Sequence, residues 1–363
     1  GFACAVEKGD LAEAQWNKMI ASGLNSEQKV LLEKLLNPDV AKIEWPMFES
    51  DVATRDSNGK IINAIAKALP GFIGGSADLG PSNKSELGGM GDFPYGRNIH
   101  FGIREHAMGA ISNAFALYGL FLPFSATFFI FSDYLKPSVR LAALMGLKNF
   151  YIWTHDSIGV GEDGQTHQPI EQLSQFRALP NFYVYRPCDG RENVKAWQKA
   201  LSMQAPAAFV CSRQKLKALK DDRAYGDVEN GGYLLTKRDN ATLTLMASGS
   251  EVFTALQTGC RLAKLGIAAN IVSVPCFDLF VEQDKAYIDA VIDPTTKVVA
   301  IEASAGIEWY RFADEVIGMK RFGASGPAEL LFEKFGLTPD TVTAKVCSFL
   351  GVNYENSGVD CKL

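Results

Sequence analysis

Titratable side chains crowd one stretch of the chain, Thr154-His155-Asp156-Ser157-Ile158-Gly159-Val160-Gly161-Glu162-Asp163-Gly164-Gln165-Thr166-His167-Gln168-Pro169, which holds two of the four histidines. Three readings compete for it. Gly159, Gly161 and Gly164 have the spacing of a dinucleotide-binding loop and follow an expected strand. Glu162 and Asp163 would set negative charge against a pyrophosphate, however, and Gln165 to Pro169 is a poor opening for the helix whose N-terminus should hold one. A metal reading takes His155, Asp163 and His167, but the eleven residues between the histidines match neither a helical metalloprotease pair nor a zinc finger. The third reading is a solvated loop whose glycines serve turn geometry. The density of titratable groups at the carboxyl end of a strand, where open α/β sheets place ligands, favours a functional loop.

A second candidate is His100-Phe101-Gly102-Ile103-Arg104-Glu105-His106-Ala107-Met108-Gly109, where a carboxylate enters just as an apolar helix begins. Glu105 suits the helix dipole there. Enclosed by apolar neighbours it would also hold or share a proton near neutrality, as a buried general acid must. Phe128, Phe131 and Tyr134 stand three apart and would share a drifting face on a helix, a pattern that fits core packing or a ligand wall.

The elements that must position these groups alternate. Residues 10 to 41 read as two polar-faced helices broken at Ser22-Gly23, the second opened by Asn25-Ser26-Glu27-Gln28 with the reach of a capping box. A helix near 54 to 69 stops at Pro70-Gly71, and the strand Phe72-Gly75 leads into a long Gly/Ser/Asn-rich loop from Ser76 to Arg97. Then follow a strand Ile99 to Ile103, a helix Glu105 to Tyr118, a Phe-rich segment to Tyr134, strands Tyr151 to Thr154, Phe182 to Tyr185 and Ala208 to Cys211, and a helix Asn193 to Met203. A polar, weakly periodic stretch from Gln214 to Gly232 marks a linker. A second unit has strands Thr242 to Ala247, Asn270 to Val274 and Val298 to Glu302, with helices Glu251 to Leu265, Lys285 to Ile292, Glu308 to Ile317, Ala328 to Phe335 and Asp340 to Leu350. The expected fold is α/β with two domains, each a mostly parallel sheet with helices on both faces. The expected division is a helical linker over 1–45, a first domain over 46–225, a second over 226–355 and a tail over 356–363.

Composition bounds the function. With 363 residues and a formal charge of -5, the chain offers no global attraction for nucleic acid or an anionic membrane. No apolar run reaches membrane-spanning length and Gly1-Phe2-Ala3-Cys4 begins nothing that reads as a signal peptide, so a soluble protein is expected. Seven scattered cysteines without a Cys-x-x-Cys pair argue against a disulfide framework or a cysteine zinc site, and for a reducing intracellular compartment.

Taken together, Gly74-Gly75-Ser76-Ala77-Asp78-Leu79-Gly80-Pro81-Ser82-Asn83, Gly102-Ile103-Arg104-Glu105-His106, Phe121-Leu122-Pro123-Phe124-Ser125-Ala126-Thr127-Phe128, Thr154-His155-Asp156-Ser157 through His167-Gln168-Pro169, and Ser212-Arg213-Gln214 resemble transketolase, in the family's order; so does Pro327-Ala328-Glu329-Leu330. The resemblance covers the family's pyrimidine-binding and C-terminal domains. No Gly-Asp-Gly motif of its diphosphate-binding domain occurs here. The expectation is therefore the back half of such an enzyme, completed by a diphosphate-binding chain or domain that also holds a divalent metal, Mg or Ca.

The resemblance implies roles. The cofactor is thiamine diphosphate; Glu105 shares a proton with its pyrimidine ring, Phe128, Phe131 and Tyr134 enclose that ring, and Asp78 stands beside it. Arg55, Ser82, His155 and Arg213 match positions that bind the sugar phosphate, while Asp163 and His167 match residues at the sugar hydroxyls; His155 and His167 join Glu105 as catalytic candidates. The implied reaction, in the pentose phosphate pathway, moves a two-carbon ketol unit from xylulose 5-phosphate to ribose 5-phosphate or erythrose 4-phosphate, in a homodimer of complete enzymes. The tail Cys361-Lys362-Leu363 is similar to a peroxisomal address, leaving cytosol and a peroxisome-like organelle such as the glycosome both open and making dihydroxyacetone synthase an alternative. A non-catalytic interaction subunit and the β subunit of a 2-oxo acid dehydrogenase are further alternatives.

Overall fold

The computed structural model describes residues 2–219 and 227–354. Two helices lead, Phe2–Gly23 and Ser26–Leu36. The expected capping box separates them: the Gln28 N–H donates to Asn25 Oδ1 at 2.9 Å and the Asn25 N–H to Gln28 Oε1 at 3.0 Å. Neither helix buries a residue, and Val6, Trp16 and Met19 stand exposed on the first. No helix among the described residues is long and apolar enough to cross a membrane.

In chain order the strands of the first domain are β1 (Val52–Ala53), β2 (Phe72–Ser76), β3 (Asn98–His100), β4 (Leu122–Phe128), β5 (Phe150–Thr154), β6 (Tyr183–Tyr185), β7 (Ala207–Cys211) and β8 (Lys215–Leu216). Six of them form one wholly parallel sheet in the order β3-β2-β4-β5-β7-β6, while β1 and β8 pair separately and antiparallel. β5 is buried at every position, as the apolar run Phe-Tyr-Ile-Trp requires when helices cover both faces. From β2 the chain moves out one way to β3 and returns on the other side with β4. That reversal opens a crevice at the carboxyl ends of β2 and β4, where ligands bind in such sheets.

The second domain contributes β9 (Tyr233–Thr236), β10 (Leu243–Ala247), β11 (Ala269–Ser273), β12 (Lys297–Ile301) and β13 (Glu315–Ile317). Their order is β13-β12-β10-β11-β9, with β9 alone antiparallel. Both domains are thus α/β, with sheets that are parallel or mostly so.

Two buried arginines join the domains. Arg177 bonds both oxygens of Glu302, at 2.8 and 2.9 Å, and Glu308 at 2.6 Å. Arg186 reaches Asp156 at 2.7 Å and Glu251 at 2.6 Å. Burial opposes the charge of Arg186, but Glu251 and Asp156 outweigh it and raise its pKa; burial likewise opposes ionisation of Glu302, but Arg177 outweighs it and holds that carboxyl down to about 2.

Three expectations need correction. Residues 308–317 form no α-helix: a 3-10 turn, Ile307–Arg311, is followed by β13, because Val316 and Ile317 pair with β12. The strand expected over 99–103 is only Asn98–His100, since Gly102 takes φ +67° and ends it. Cys260 is disulfide-bonded, although Cys4, Cys188, Cys211, Cys276 and Cys347 are free, so the scattered spacing did not exclude a bridge. The expected linker contains β8 within its first residues, and the boundary between 225 and 226, like the tail 356–363 with Cys361-Lys362-Leu363, touches or lies within segments outside the described residues.

Candidate functional site

Five chain segments converge at the carboxyl edge of the first sheet. The first turn of the helix Thr54–Ala68 is stitched to the residue after β7: the Ser212 N–H donates to Thr54 Oγ1 at 2.7 Å, the Thr54 N–H to Ser212 Oγ at 3.0 Å, and the Arg55 N–H to the Ser212 carbonyl at 3.3 Å. This lattice holds Arg55 and Arg213 near one another despite their like charge. Each disfavours protonation of the histidine between them: burial, then Arg55, Arg213 and His167, push the His155 imidazole down to about 3. Neither arginine forms an ion pair among the described residues, and Arg55 Nε is buried without a hydrogen-bond partner. Two cationic groups lacking a carboxylate partner beside a histidine form a cradle for a dianion.

His155 leaves β5 in a left-handed conformation, φ +65°. Asp156 beside it is anchored by Arg186, so the domain junction also fixes this turn. The His155 Nδ1 lies 2.8 Å from Thr154 Oγ1, which donates onward to Asn83 Oδ1 at 2.7 Å. Arg55 Nη1 faces Nε2 at 3.5 Å and also donates to the Ser82 carbonyl at 3.1 Å. Ser82 thus meets the cradle through its backbone.

The aromatic series is continuous, though not on one helix. Phe128 closes β4, Phe131 lies in a 3-10 turn and Tyr134 in the helix Ser132–Leu144. Three-residue spacing aligns side chains across such a turn: Phe128 and Phe131 stack at 6.0 Å, and Phe131 and Tyr134 lie 6.2 Å apart. Phe128 also covers His155 at 3.7 Å, and His167 presents an edge to Phe131 at 5.5 Å. Tyr134 remains 65% exposed.

Glu105 opens the helix Glu105–Tyr118 and is only 9% exposed, with no hydrogen-bond partner among the described residues. This helix packs on Ser132–Leu144 through a Ser138 hydroxyl that donates to the His106 carbonyl at 3.0 Å. Asp78 has φ +64° and lines a separate cleft with Ser76, His100 and Gly102. Asp163 is exposed and outside the contacts of the cradle. Arg55, Ser82, His155, His167, Arg213 and the aromatic series are therefore brought together, whereas Glu105, Asp78 and Asp163 rim the same edge without touching them.

The glycine-rich loop is shaped by the second domain. Gly161 and Gly164 take φ +86° and +77°, and Ser325 donates to the Glu162 carbonyl. Glycine spacing here serves this docking. Sequence reading gave no role to Asn83, Thr154, Gln168 and Arg186; a polar or charged residue at or just after a buried strand was the available signal for Thr154 and Arg186, and none marked Asn83 or Gln168.

A carboxylate on a largely buried residue that bonds no protein group among the described residues, on the same sheet edge as an aromatic wall, suits a flat heteroaromatic ring, so these residues fit the pyrimidine of thiamine diphosphate.

Comparison with known proteins agrees with the geometry. Family models describing the transketolase pyrimidine-binding domain and the transketolase-like C-terminal domain match residues 50–218 and 231–338. A transketolase of Geobacillus stearothermophilus is 43% identical over 95% of this chain and 55% of its own length. A transketolase structure from Campylobacter jejuni superposes with a TM-score of 0.91 at 58% identity, over 95% of this chain and 54% of that one. A Pichia stipitis transketolase in complex with sedoheptulose 7-phosphate gives 0.90 at 35% identity, over 96% and 55%. A split-gene transketolase, described as an inactive β4 tetramer, shares the fold at a TM-score of 0.68 and 23% identity, over 84% of this chain and 99% of that one. The chain thus spans about half the length of the curated relatives it matches. On its two matched domains and the level of identity to these relatives, the chain belongs to the transketolase family.

Proposed function

We propose that this chain carries the pyrimidine side and the sugar-phosphate cradle of a ketol-transferring site that a diphosphate-binding domain completes in trans. The observation that carries the reading is that Glu105, whose carboxylate bonds no protein group among the described residues, shares one sheet edge with an arginine cradle. When bound, thiamine diphosphate supplies the carbon nucleophile and electron sink for a two-carbon ketol unit.

Glu105 holds or shares a proton at the pyrimidine ring, while Phe128, Phe131 and Tyr134 exclude water from that face. Arg55, Arg213, His155 and Ser82 bind the phosphate of a ketose or aldose phosphate, such as xylulose 5-phosphate or ribose 5-phosphate. Asp163 and His167 contact the sugar hydroxyls, and Asp78 stands beside the cofactor. The metal, Mg or Ca, and the diphosphate rest on the completing domain. The domain division proposed is 46–225 for the pyrimidine domain and 226–355 for the C-terminal domain, preceded by a linker. The relative described as a split-gene transketolase supports completion by a separate chain.

Two exposed apolar faces support further assembly. Ile103, Leu117, Tyr118, Tyr134 and Leu144 are exposed on or beside the packed helices Glu105–Tyr118 and Ser132–Leu144, and we assign these helices to contact with a second copy. The unburied helix Phe2–Gly23 is assigned to the completing domain.

Mixing this chain with a transketolase diphosphate-binding chain, the cofactor and Mg tests the reading. Ketol transfer is expected from the mixture and negligible turnover from this chain alone. Appreciable turnover by this chain alone, or an inert mixture in which both chains assemble, would overturn it.

A further inference from the structure

The hydrogen-bond relay behind His155 decides which of its ring nitrogens carries the proton. Asn83 Nδ2 donates to Ser76 Oγ at 3.0 Å, which turns Asn83 Oδ1 toward Thr154. The Thr154 hydroxyl donates its single proton to that oxygen at 2.7 Å, so at 2.8 Å it can only accept from His155 Nδ1–H. The other ring nitrogen gives the same answer independently. Arg55 Nη1, a group that only donates, faces Nε2 at 3.5 Å, so Nε2 presents a lone pair.

A phosphate dianion is also acceptor-only, and it meets that lone pair unfavourably. Reversing the relay would need Thr154 to rotate and Asn83 to flip away from Ser76, within a buried network. We propose, on the sugar-phosphate reading above, that a dianion entering the Arg55–Arg213 cradle brings a solvent proton onto His155 Nε2, and that Thr154 and Asn83 are the positioning residues that make this uptake obligatory. The step balances simply: one proton leaves solvent, Nε2–H forms, and the new donor bonds a phosphate oxygen.

The charged and titratable groups facing the ring are Arg55 on the helix Thr54–Ala68, Arg213 after β7 and His167 in the glycine-rich loop. Phe128 of β4 covers one face of the ring, and Asp156 is held away by Arg186. With burial they keep free His155 neutral; two charges of opposite sign beside the arginines remove their part of that opposition. Binding then adds a proton to the complex, so affinity falls as pH rises, by up to about tenfold per unit for one linked proton.

Calorimetric titration of the full chain tests this, with inorganic sulfate, which stays a dianion across the neutral range, and with ribose 5-phosphate. Each is measured in two buffers of different ionisation heat, and the difference counts protons. Wild type is expected to take up close to one proton per bound dianion. With sulfate, His155→Gln is expected to bind more weakly, with no uptake and a flat pH dependence. Thr154→Val frees the ring to place its single proton on Nε2, so binding should persist while uptake and pH dependence shrink. Binding with no proton uptake in wild type, or uptake that persists in His155→Gln, overturns this inference and leaves the cradle reading standing. Failure of either dianion to bind overturns both.

Discussion

Gln168 and Ala324 close a two-bond ring between the domains: the Ala324 N–H donates to Gln168 Oε1 at 3.0 Å, and Gln168 Nε2 donates to the Ala324 carbonyl at 2.9 Å. The same Nε2 donates to the Gly161 carbonyl at 2.9 Å, so one side chain ties the glycine-rich loop to the second domain. A methyl group on Gly323 would come within 1.8 Å of Gln168 Oε1, which explains the glycine there.

Gln168→Ala removes these bonds and should lower stability by about 1–3 kcal/mol. In the completed enzyme it should raise the Michaelis constant more than it lowers turnover, because His167 loses its support. Unfolding by urea and steady-state kinetics check both; unchanged kinetics would mean that the loop holds its shape unaided.

Arg186→Met should destabilise far more, by about 3–5 kcal/mol, since it strands the buried carboxylates of Asp156 and Glu251. Because Asp156 adjoins His155, dianion binding should weaken with it. Urea midpoints and calorimetry read the two effects, and a variant as stable as wild type would refute the junction's role.

Burial raises both Glu192 and Asp278 to about 7. A carboxyl raised in the folded state contributes stability that is fully present below its unfolded value and is lost as pH rises through about 7. The urea midpoint should therefore fall between about pH 5 and pH 8. Asp278→Asn should flatten part of that slope, because an amide oxygen can still accept from the Val184 N–H, which donates to the carboxylate at 3.0 Å. An unchanged slope would count against the assignment to Asp278.

Arg213→Ala should raise the Michaelis constant for phosphorylated substrates by about 10- to 100-fold, the worth of a charge-assisted hydrogen bond, with a smaller effect on turnover. Equal losses for phosphorylated and unphosphorylated sugars would remove Arg213 from the cradle.

Local pattern made much of this molecule legible. The helix Glu105–Tyr118 and the buried run of β5 follow from local pattern, and the glycine-rich loop does lie after β5. The aromatic series keeps its grouping without lying on one helix, because a spacing of three suits a 3-10 turn as well. β13 was read as helix since its strand character comes from pairing with β12 rather than from its own residues. The supports of His155 and Gln168 lie far away in the chain: Asn83 meets Thr154 across 71 residues and Ala324 meets Gln168 across 156. No periodicity reports such partners.

The most direct test of the account is the ketol-transfer rate of the completed assembly carrying Glu105→Gln. The account predicts a fall of about a hundredfold or more at an unchanged melting temperature, the usual worth of a positioned proton-transfer group. A rate near that of wild type in a folded, cofactor-loaded assembly would contradict it.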